Sequence, residues 1–179
     1  MNSRIIAAVR NREELNIAVN SGVDIIFVLS TNIENIKNEL DLVHKAGKRF
    51  FVHIDLADGI GKDEYGIRFV KGLGVDGIIS TRSNLIKLAK KEGLCTVQRF
   101  FIVDSHSVQT TLETVKNSNS DMIELMPGIV SKVIKRIKSE VDTPIVAGGL
   151  IENVKEIKDA LLNGAVAIST GKKEFWEKV

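Results

Sequence analysis

The sequence is poor in the residues that staple, break or span. One cysteine, Cys95, leaves no partner for an intramolecular disulfide. It lies in the apolar run Leu94-Cys95-Thr96-Val97, which favours a buried, inert thiol over a nucleophile. Two prolines, Pro127 and Pro144, and no Ser/Gly/Pro-rich stretch leave no linker to divide the chain. No uncharged apolar run approaches the roughly eighteen residues that a membrane span requires. The opening segment MNSRIIAAVRN lacks the apolar region and cleavage site of a signal peptide, so the expected compartment is the reducing cytoplasm. Charge of one sign is scarce too: 25 basic residues face 23 acidic ones, a net +2 with no basic arm or tail. Electrostatics alone therefore neither demands nor excludes a nucleic-acid partner. Aromatics make up only 5%, and no run of them suggests base stacking.

What is present is a regular alternation. The 44% apolar content over 179 residues supplies a sizeable core, and a single domain over 1–179 is expected. Short runs rich in Ile, Val and Phe recur at 5–9, 25–29, 50–54, 77–79, 96–102, 122–125, 144–147 and 165–169. Each reads as a strand buried on both faces. The intervening segments have helical periodicity, as in Ile33, Ile36, Leu40 and Val43, or Ile129, Val133, Ile134 and Ile137. A third helix is expected near Glu64–Lys71. Ser83-Asn84 and Asp104-Ser105 read as N-caps, and Gly22, Gly47, Gly93 and Gly164 as helix stops.

Eight strand–helix units averaging about 22 residues predict an α/β fold, a compact (β/α)8 TIM-type barrel with short loops. An open doubly wound sheet would show two edge strands more polar than the rest, and none stand out.

In such a barrel the site lies at the C-terminal strand ends. Ala147-Gly148-Gly149 after the seventh strand allows backbone N–H groups to approach an anion. Ser169-Thr170-Gly171 after the eighth, opening a short helix near Glu174, adds hydroxyls, N–H donors and a favourable dipole. Together they predict a phosphate cup, the alternative for the glycines being a plain tight turn. His53 and Asp55, two apart, are expected on one strand face with Phe51. Glu124 alternates inward with Met122 and Met126 and needs a cation, Arg82 or Arg99. These polar groups either contact a small ligand, with Glu124 or Asp55 as a general base, or form an ion-pair network closing the barrel.

Enzyme signatures are sparse. No lysine ends a strand, so Schiff-base chemistry has no nucleophile. The histidines lack zinc spacing, neither GxGxxG nor GxxxxGK[ST] occurs, and the loops are too short for a lid. The residues read as a binder with no metal and no catalytic set. The sixth helix carries Lys132, Lys135, Arg136 and Lys138 against Glu140, whose ordinary explanation is a solvated face.

Six strings fall in order along the chain: His53-Ile54-Asp55-Leu56, Asp63-Glu64-Tyr65-Gly66, Ile78 to Asn84 (IISTRSN), Gln98-Arg99-Phe100, Glu124 to Ile129 (ELMPGI), and Ala147-Gly148-Gly149. Together they make the chain resemble the glycerol-uptake operon antiterminator regulatory proteins, over nearly its whole length. The resemblance implies a bacterial barrel that responds to glycerol 3-phosphate and acts on leader mRNA, without a cofactor. By position it implies that Gly148, Gly149, Ser169, Thr170 and Gly171 hold the phosphate. His53, Asp55, Arg82 and Glu124 would meet the glycerol hydroxyls or order the site. Gly171-Lys172 stands where another hydroxyl residue is expected, with Lys172 a substitute contact. The resemblance also turns Lys132, Lys135, Arg136 and Lys138 into an expected RNA face. A small glycerol-phosphate or phosphosugar enzyme, and a metabolite-binding module without RNA contact, are the alternatives. A homo-oligomer stays open.

Overall fold

The computed structural model describes residues 4–177; the remaining residues of the expected 1–179 domain lie outside the described residues. Among the described residues, ten strands and seven α-helices occur in the order β1 (Ile5–Val9), α1 (Arg12–Val19), β2 (Ile25–Val28), β3 (Thr31–Asn32), α2 (Ile36–Lys45), β4 (Arg49–His53), β5 (Ala57–Asp58), α3 (Glu64–Leu73), β6 (Gly77–Ser80), α4 (Ser83–Lys91), β7 (Cys95–Phe101), α5 (Ser105–Ser118), β8 (Met122–Met126), α6 (Ser131–Lys138), β9 (Ile145–Gly148), α7 (Val154–Leu162) and β10 (Ala165–Thr170). Single 3₁₀ turns follow β4, at Ile54–Leu56, and β10, at Lys173–Phe175. Eight strands pair in parallel and close a barrel in the order β1-β2-β4-β6-β7-β8-β9-β10, with β10 returning to β1. Each of the eight apolar runs supplies one of them.

Period-2 alternation divides each strand between two cores. Ile6, Ile25, Phe27, Phe51, Ile79, Val97, Val146 and Ala167 fill the barrel. The Phe27 and Phe51 rings tilt against each other with centroids 5.6 Å apart. Their neighbours, such as Ile5, Ile26, Val52, Ile78 and Ile123, face outward onto the buried stripes of the helices. Because every interior position is taken below the mouth, a ligand can enter only from a rim.

Local chemistry sets most helix starts. The side chains of Asn11, Asp63 and Asn153 each accept a backbone N–H three residues on. Asp104 and Ser107 form a reciprocal capping box. Ser83-Asn84 is not a cap: Arg82 holds that position without a side-chain bond, and Ser83 is the first helical residue. Ile33 and Ile129 precede their helices and are exposed, so periodicity extends both helices too far back. Gly47, Gly93 and Gly164 do end helices with positive φ. Gly22 does not; it lies three residues past α1, where its N–H donates to the Trp176 carbonyl. The eighth helix is only the Lys173–Phe175 turn. Behind that turn the indole of Trp176, 1% exposed, fills the gap, its Nε1–H donating to the Thr170 carbonyl.

The sequence gives no sign of the pairing of β3 with β5. These two-residue strands form a separate ribbon from the segments that follow β2 and β4.

Candidate functional site

The C-terminal rims of β8, β9, β10, β1 and β2 converge on a cleft of 370 Å³. Its walls include Glu124, Met126, Gly149, Leu150, Ser169, Thr170, Gly171 and Lys172, with Arg10 and Arg99. This size is at the small end for metabolite sites. A wider groove of 600 Å³ between α1 and α2 is formed by helix-surface side chains such as Asn38, Asp41 and Lys45, away from the strand ends.

The cleft has a cationic end. Three cations, Arg10, Arg99 and Lys172, line it against two carboxylates, Glu124 and Glu152. Arg99 is committed to Glu124, its Nε–H donating to Oε2 at 2.6 Å. The Arg10 guanidinium lies over Gly171, where a Cβ would sit 3.4 Å from Nη1. Lys172 folds onto the rim, its Nζ donating to the Glu152 carbonyl at 3.0 Å. Its backbone N–H is already given to Thr170 Oγ1 at 3.1 Å, which leaves the Thr170 hydroxyl proton for another acceptor. Gly149 adopts φ +76° and Leu150 φ +58°. Two successive left-handed residues turn the chain sharply out of β9, and Gly149 meets the first requirement without strain.

Of the expected phosphate residues, Gly149, Ser169, Thr170 and Gly171 come together in this cleft. Gly148 does not line it. It ends β9, and a Cβ there would lie 2.5 Å from Glu124 Oε1, so its absent side chain makes room for that carboxylate. The helix expected after Gly171 is a three-residue 3₁₀ turn, too short to supply a helix dipole. This end of the cleft therefore presents hydroxyls, a tight turn and side-chain cations, without a helix dipole.

His53, Asp55 and Arg82 gather on the opposite side of the mouth. β4 ends at His53, and the chain then turns 3₁₀ through Ile54–Leu56. Asp55 is thus off the strand, and the shared face expected from period-2 alternation does not extend to it. Its carboxylate accepts from Ser80 Oγ at 2.7 Å, the Thr81 N–H at 2.8 Å and Thr81 Oγ1 at 3.0 Å. Arg82 Nε stands 3.9 Å away. Burial acts to raise the Asp55 pKa, but the bonds from Thr81 and Ser80 outweigh it and hold the carboxyl below its usual range. Lys62 closes this side by donating to the Ala57 and Ile60 carbonyls. Asp55 is therefore fully engaged in the network.

His53, at the end of β4, feels charges from both halves, Arg99 and Asp55. It is buried, and its Nδ1 has no partner. Burial and the neighbouring Arg99 cation push its pKa down to about 4, against the opposing pull of Asp55. The imidazole is neutral at physiological pH and offers one donor and one acceptor.

The basic residues of α6 are all exposed or half-buried at the surface. Lys132 and Arg136 line a groove of 460 Å³ between α6 and the start of α5, floored by Ile102, Val108, Val130 and Val133. Phe101 and Val103, beside it in the chain, are exposed by 56% and 83%. Arg136 reaches Glu140 only at 3.8 Å. Among the described residues, no helix is long and apolar enough to cross a membrane.

Comparison with known proteins agrees over the full barrel. Residues 5–176 match the family described as glycerol-3-phosphate responsive antiterminator. The uncharacterized protein YgcP of Escherichia coli K12 is 38% identical over 173 residues, covering 96% of this chain and 91% of that protein. The crystal structure of a glycerol uptake operon antiterminator regulatory protein from Listeria monocytogenes superposes with a TM-score of 0.95 at 30% identity, covering 100% and 97% of the two chains. A glycerol uptake operon antiterminator-related protein from Thermotoga maritima gives 0.88 at 34% identity, covering 98% and 99%. Aldolases, including a deoxyribose phosphate aldolase from Aeropyrum pernix (TM-score 0.72, 15% identity), share the fold alone.

Proposed function

The chain belongs to the glycerol-3-phosphate responsive antiterminator family, and from that premise we propose that it is a cytoplasmic, non-enzymatic regulator. Its mouth binds glycerol 3-phosphate, and its surface binds leader mRNA of glycerol uptake and metabolism genes. The observation that carries the effector half is the convergence of Gly149, Ser169, Thr170 and Gly171 with Arg10 and Lys172 on one small cleft. Hydroxyls and guanidinium N–H groups around a tight glycine turn suit a phosphate dianion. Glu124 borders the same cleft. His53, Asp55 and Arg82 order the other half of the mouth, since Asp55 has its acceptors filled.

The RNA half rests on α6. Lys132, Lys135, Arg136 and Lys138 share one helix, outnumbering the carboxylates beside it, Glu140, Asp142 and Asp104 across the groove, and phosphate contacts of this kind dominate nucleic-acid affinity. The two halves meet at β8. Met126 lines the effector cleft, and its carbonyl accepts from the N–H of Ile102 in the groove beside α6. Effector occupancy would bias RNA affinity through differential binding to two arrangements of this junction.

A thermal melt with glycerol 3-phosphate, glycerol and inorganic phosphate in parallel tests the effector site. Ligand at a hundred times its Kd adds about 2.7 kcal/mol, a rise of roughly 5–11 °C for a chain of this size. A shift with glycerol 3-phosphate well above the other two is the expected result. No shift with any of them would remove the effector reading.

A further inference from the structure

Two apolar surfaces with rims of opposite charge face outward at the mouth end of the barrel. One is the groove between α5 and α6, floored by Val108, Val130 and Val133 and edged by Lys132 and Arg136. Asp104 is its one lining carboxylate, and Oδ1 of that group is spent on the Ser107 N–H at 2.8 Å. Val103 stands at the lip of the groove, almost wholly exposed.

The other surface is built on the β3–β5 ribbon and the start of α3. The Ile33 N–H donates to the Asp58 carbonyl at 2.9 Å, and its side chain lies over Gly59, where a Cβ would be 2.8 Å from Cγ2. Gly66 lets the first turn of α3 close onto the Gly61 carbonyl, since a Cβ would sit 1.8 Å from that oxygen. From this firm platform Tyr65 projects, 77% exposed, beside the exposed side chains of Ile33 and Phe69. The rim is acidic, with Glu34 and Asp58 next to Ile33, and Asp63 and Glu64 preceding Tyr65. Its cations are engaged: Arg68 pairs with Glu64 and Glu92, and Lys62 turns onto the Ala57 and Ile60 carbonyls. An exposed apolar patch with a polar rim marks an interaction surface, and tyrosine is among the residues that anchor such contacts.

We propose that these surfaces are the two halves of one contact between copies of this chain. Tyr65 of one copy enters the α5–α6 groove of the next, and the acidic rim around it meets Lys132 and Arg136. The groove, at 460 Å³, has room for an aromatic side chain. Charge selects the partner. The acidic rim of Tyr65 repels a nucleic-acid backbone, and two grooves facing each other would bring like charges together. Because the halves lie on different helices of one chain, the contact runs head to tail and propagates until a ring closes. Lys138 packs against Gly164 on the α7 side and stays outside it. A contact centred on one aromatic belongs with small interfaces, so association is weak and concentration-dependent. It does not involve the effector cleft.

Analytical ultracentrifugation of the full chain, from micromolar to millimolar concentration and without RNA, reads the contact. The wild type should pass reversibly from monomer to larger species, less so at high salt. Tyr65→Ser and Val103→Glu each spoil one half at an exposed position, which spares the fold, and each should weaken association by roughly 30-fold or more. A mixture of the two variants decides the matter, because the intact groove of the first can still take the intact Tyr65 of the second. We expect heterodimers there and nothing larger. A wild type that stays monomeric throughout overturns the proposal. Association that Tyr65→Ser leaves unchanged overturns it too, placing the contact elsewhere on the surface. So does a mixture whose species are no larger than those of either variant alone.

Discussion

Asp121 and Thr96 hold each other from both directions at the foot of the barrel. Asp121 Oδ2 accepts from the Thr96 N–H at 2.9 Å and from its hydroxyl at 2.8 Å, while Thr96 Oγ1 accepts from the Asp121 N–H at 3.0 Å. Lys90 completes the set with an ion pair to the same carboxylate. Asp76 has a comparable role before β6, accepting from the Phe50 N–H and facing His44. The face opposite the mouth is thus the one built for stability.

Asp121→Ala is expected to cost about 1–3 kcal/mol, because two Thr96 donors lose their acceptor. Burial acts to raise the Asp121 pKa, and the bonds from Lys90 and Thr96 overcome it and lower the pKa. The unfolded chain then takes up the proton first as pH falls. The contribution is present above the ordinary carboxylate pKa near 4 and is lost as pH drops through the lower folded value. Chemical denaturation of wild type and variant should show their difference shrinking in that acid window.

His53 gives a second pH dependence at higher pH. With a folded pKa of about 4 against about 6.5 in the unfolded chain, protonation favours unfolding. Its contribution, on the order of 3 kcal/mol, is complete above pH 6.5 and fades as pH falls towards 4. An NMR titration should find the His53 ring neutral at pH 6, and His53→Gln should flatten the stability profile between those limits. A ring that titrates near 6.5 would contradict the buried, Arg99-facing placement.

Gly149 and Leu150 share left-handed backbone but not its cost. Leu150 stores about 1 kcal/mol while 66% exposed, so Leu150→Gly should change stability by less than about 0.5 kcal/mol, strain relief offsetting the freer unfolded chain. Gly149→Ala adds the same strain and sets a Cβ 2.8 Å from Met126 Cε. It should lower the melting temperature and weaken glycerol 3-phosphate binding together. Paired melts with and without ligand test both.

Reversing Lys132, Lys135, Arg136 and Lys138 to glutamate should abolish leader-RNA retention on filters while leaving the effector-induced thermal shift intact. In the wild type, each neutralised RNA phosphate contributes about 0.7–0.9 to the slope of log affinity against log salt. Four contacts predict a slope of about 3. Unchanged RNA retention in the variant would send the RNA face elsewhere on the molecule.

The barrel strands are legible because burial on both faces leaves unbroken Ile, Val and Phe runs that need no partner to be recognised. The ribbon of Thr31-Asn32 with Ala57-Asp58 is not, since two residues carry no period. Asp55 is misplaced by the sequence for a related reason: alternation extended past His53 enters a turn where it no longer holds. The choice between Arg82 and Arg99 for Glu124 depends on strand register, and the register sets Arg99 directly across the ladder. Arg10 and Lys172 are visible as charged residues past strand ends. Their joint lining of the cleft follows only from closure of β10 onto β1.

Trp176 gives the regulator an order of assembly. Its indole bonds the Thr170 carbonyl and its own carbonyl takes the Gly22 N–H, so one residue joins the last strand to the loop after the first helix. Gly149 and Glu124 precede β10 in the chain, and the cleft they border has no far wall until Ser169, Thr170 and this clasp are in place. The proposed effector site is therefore incomplete until the last strand has been sewn to the first.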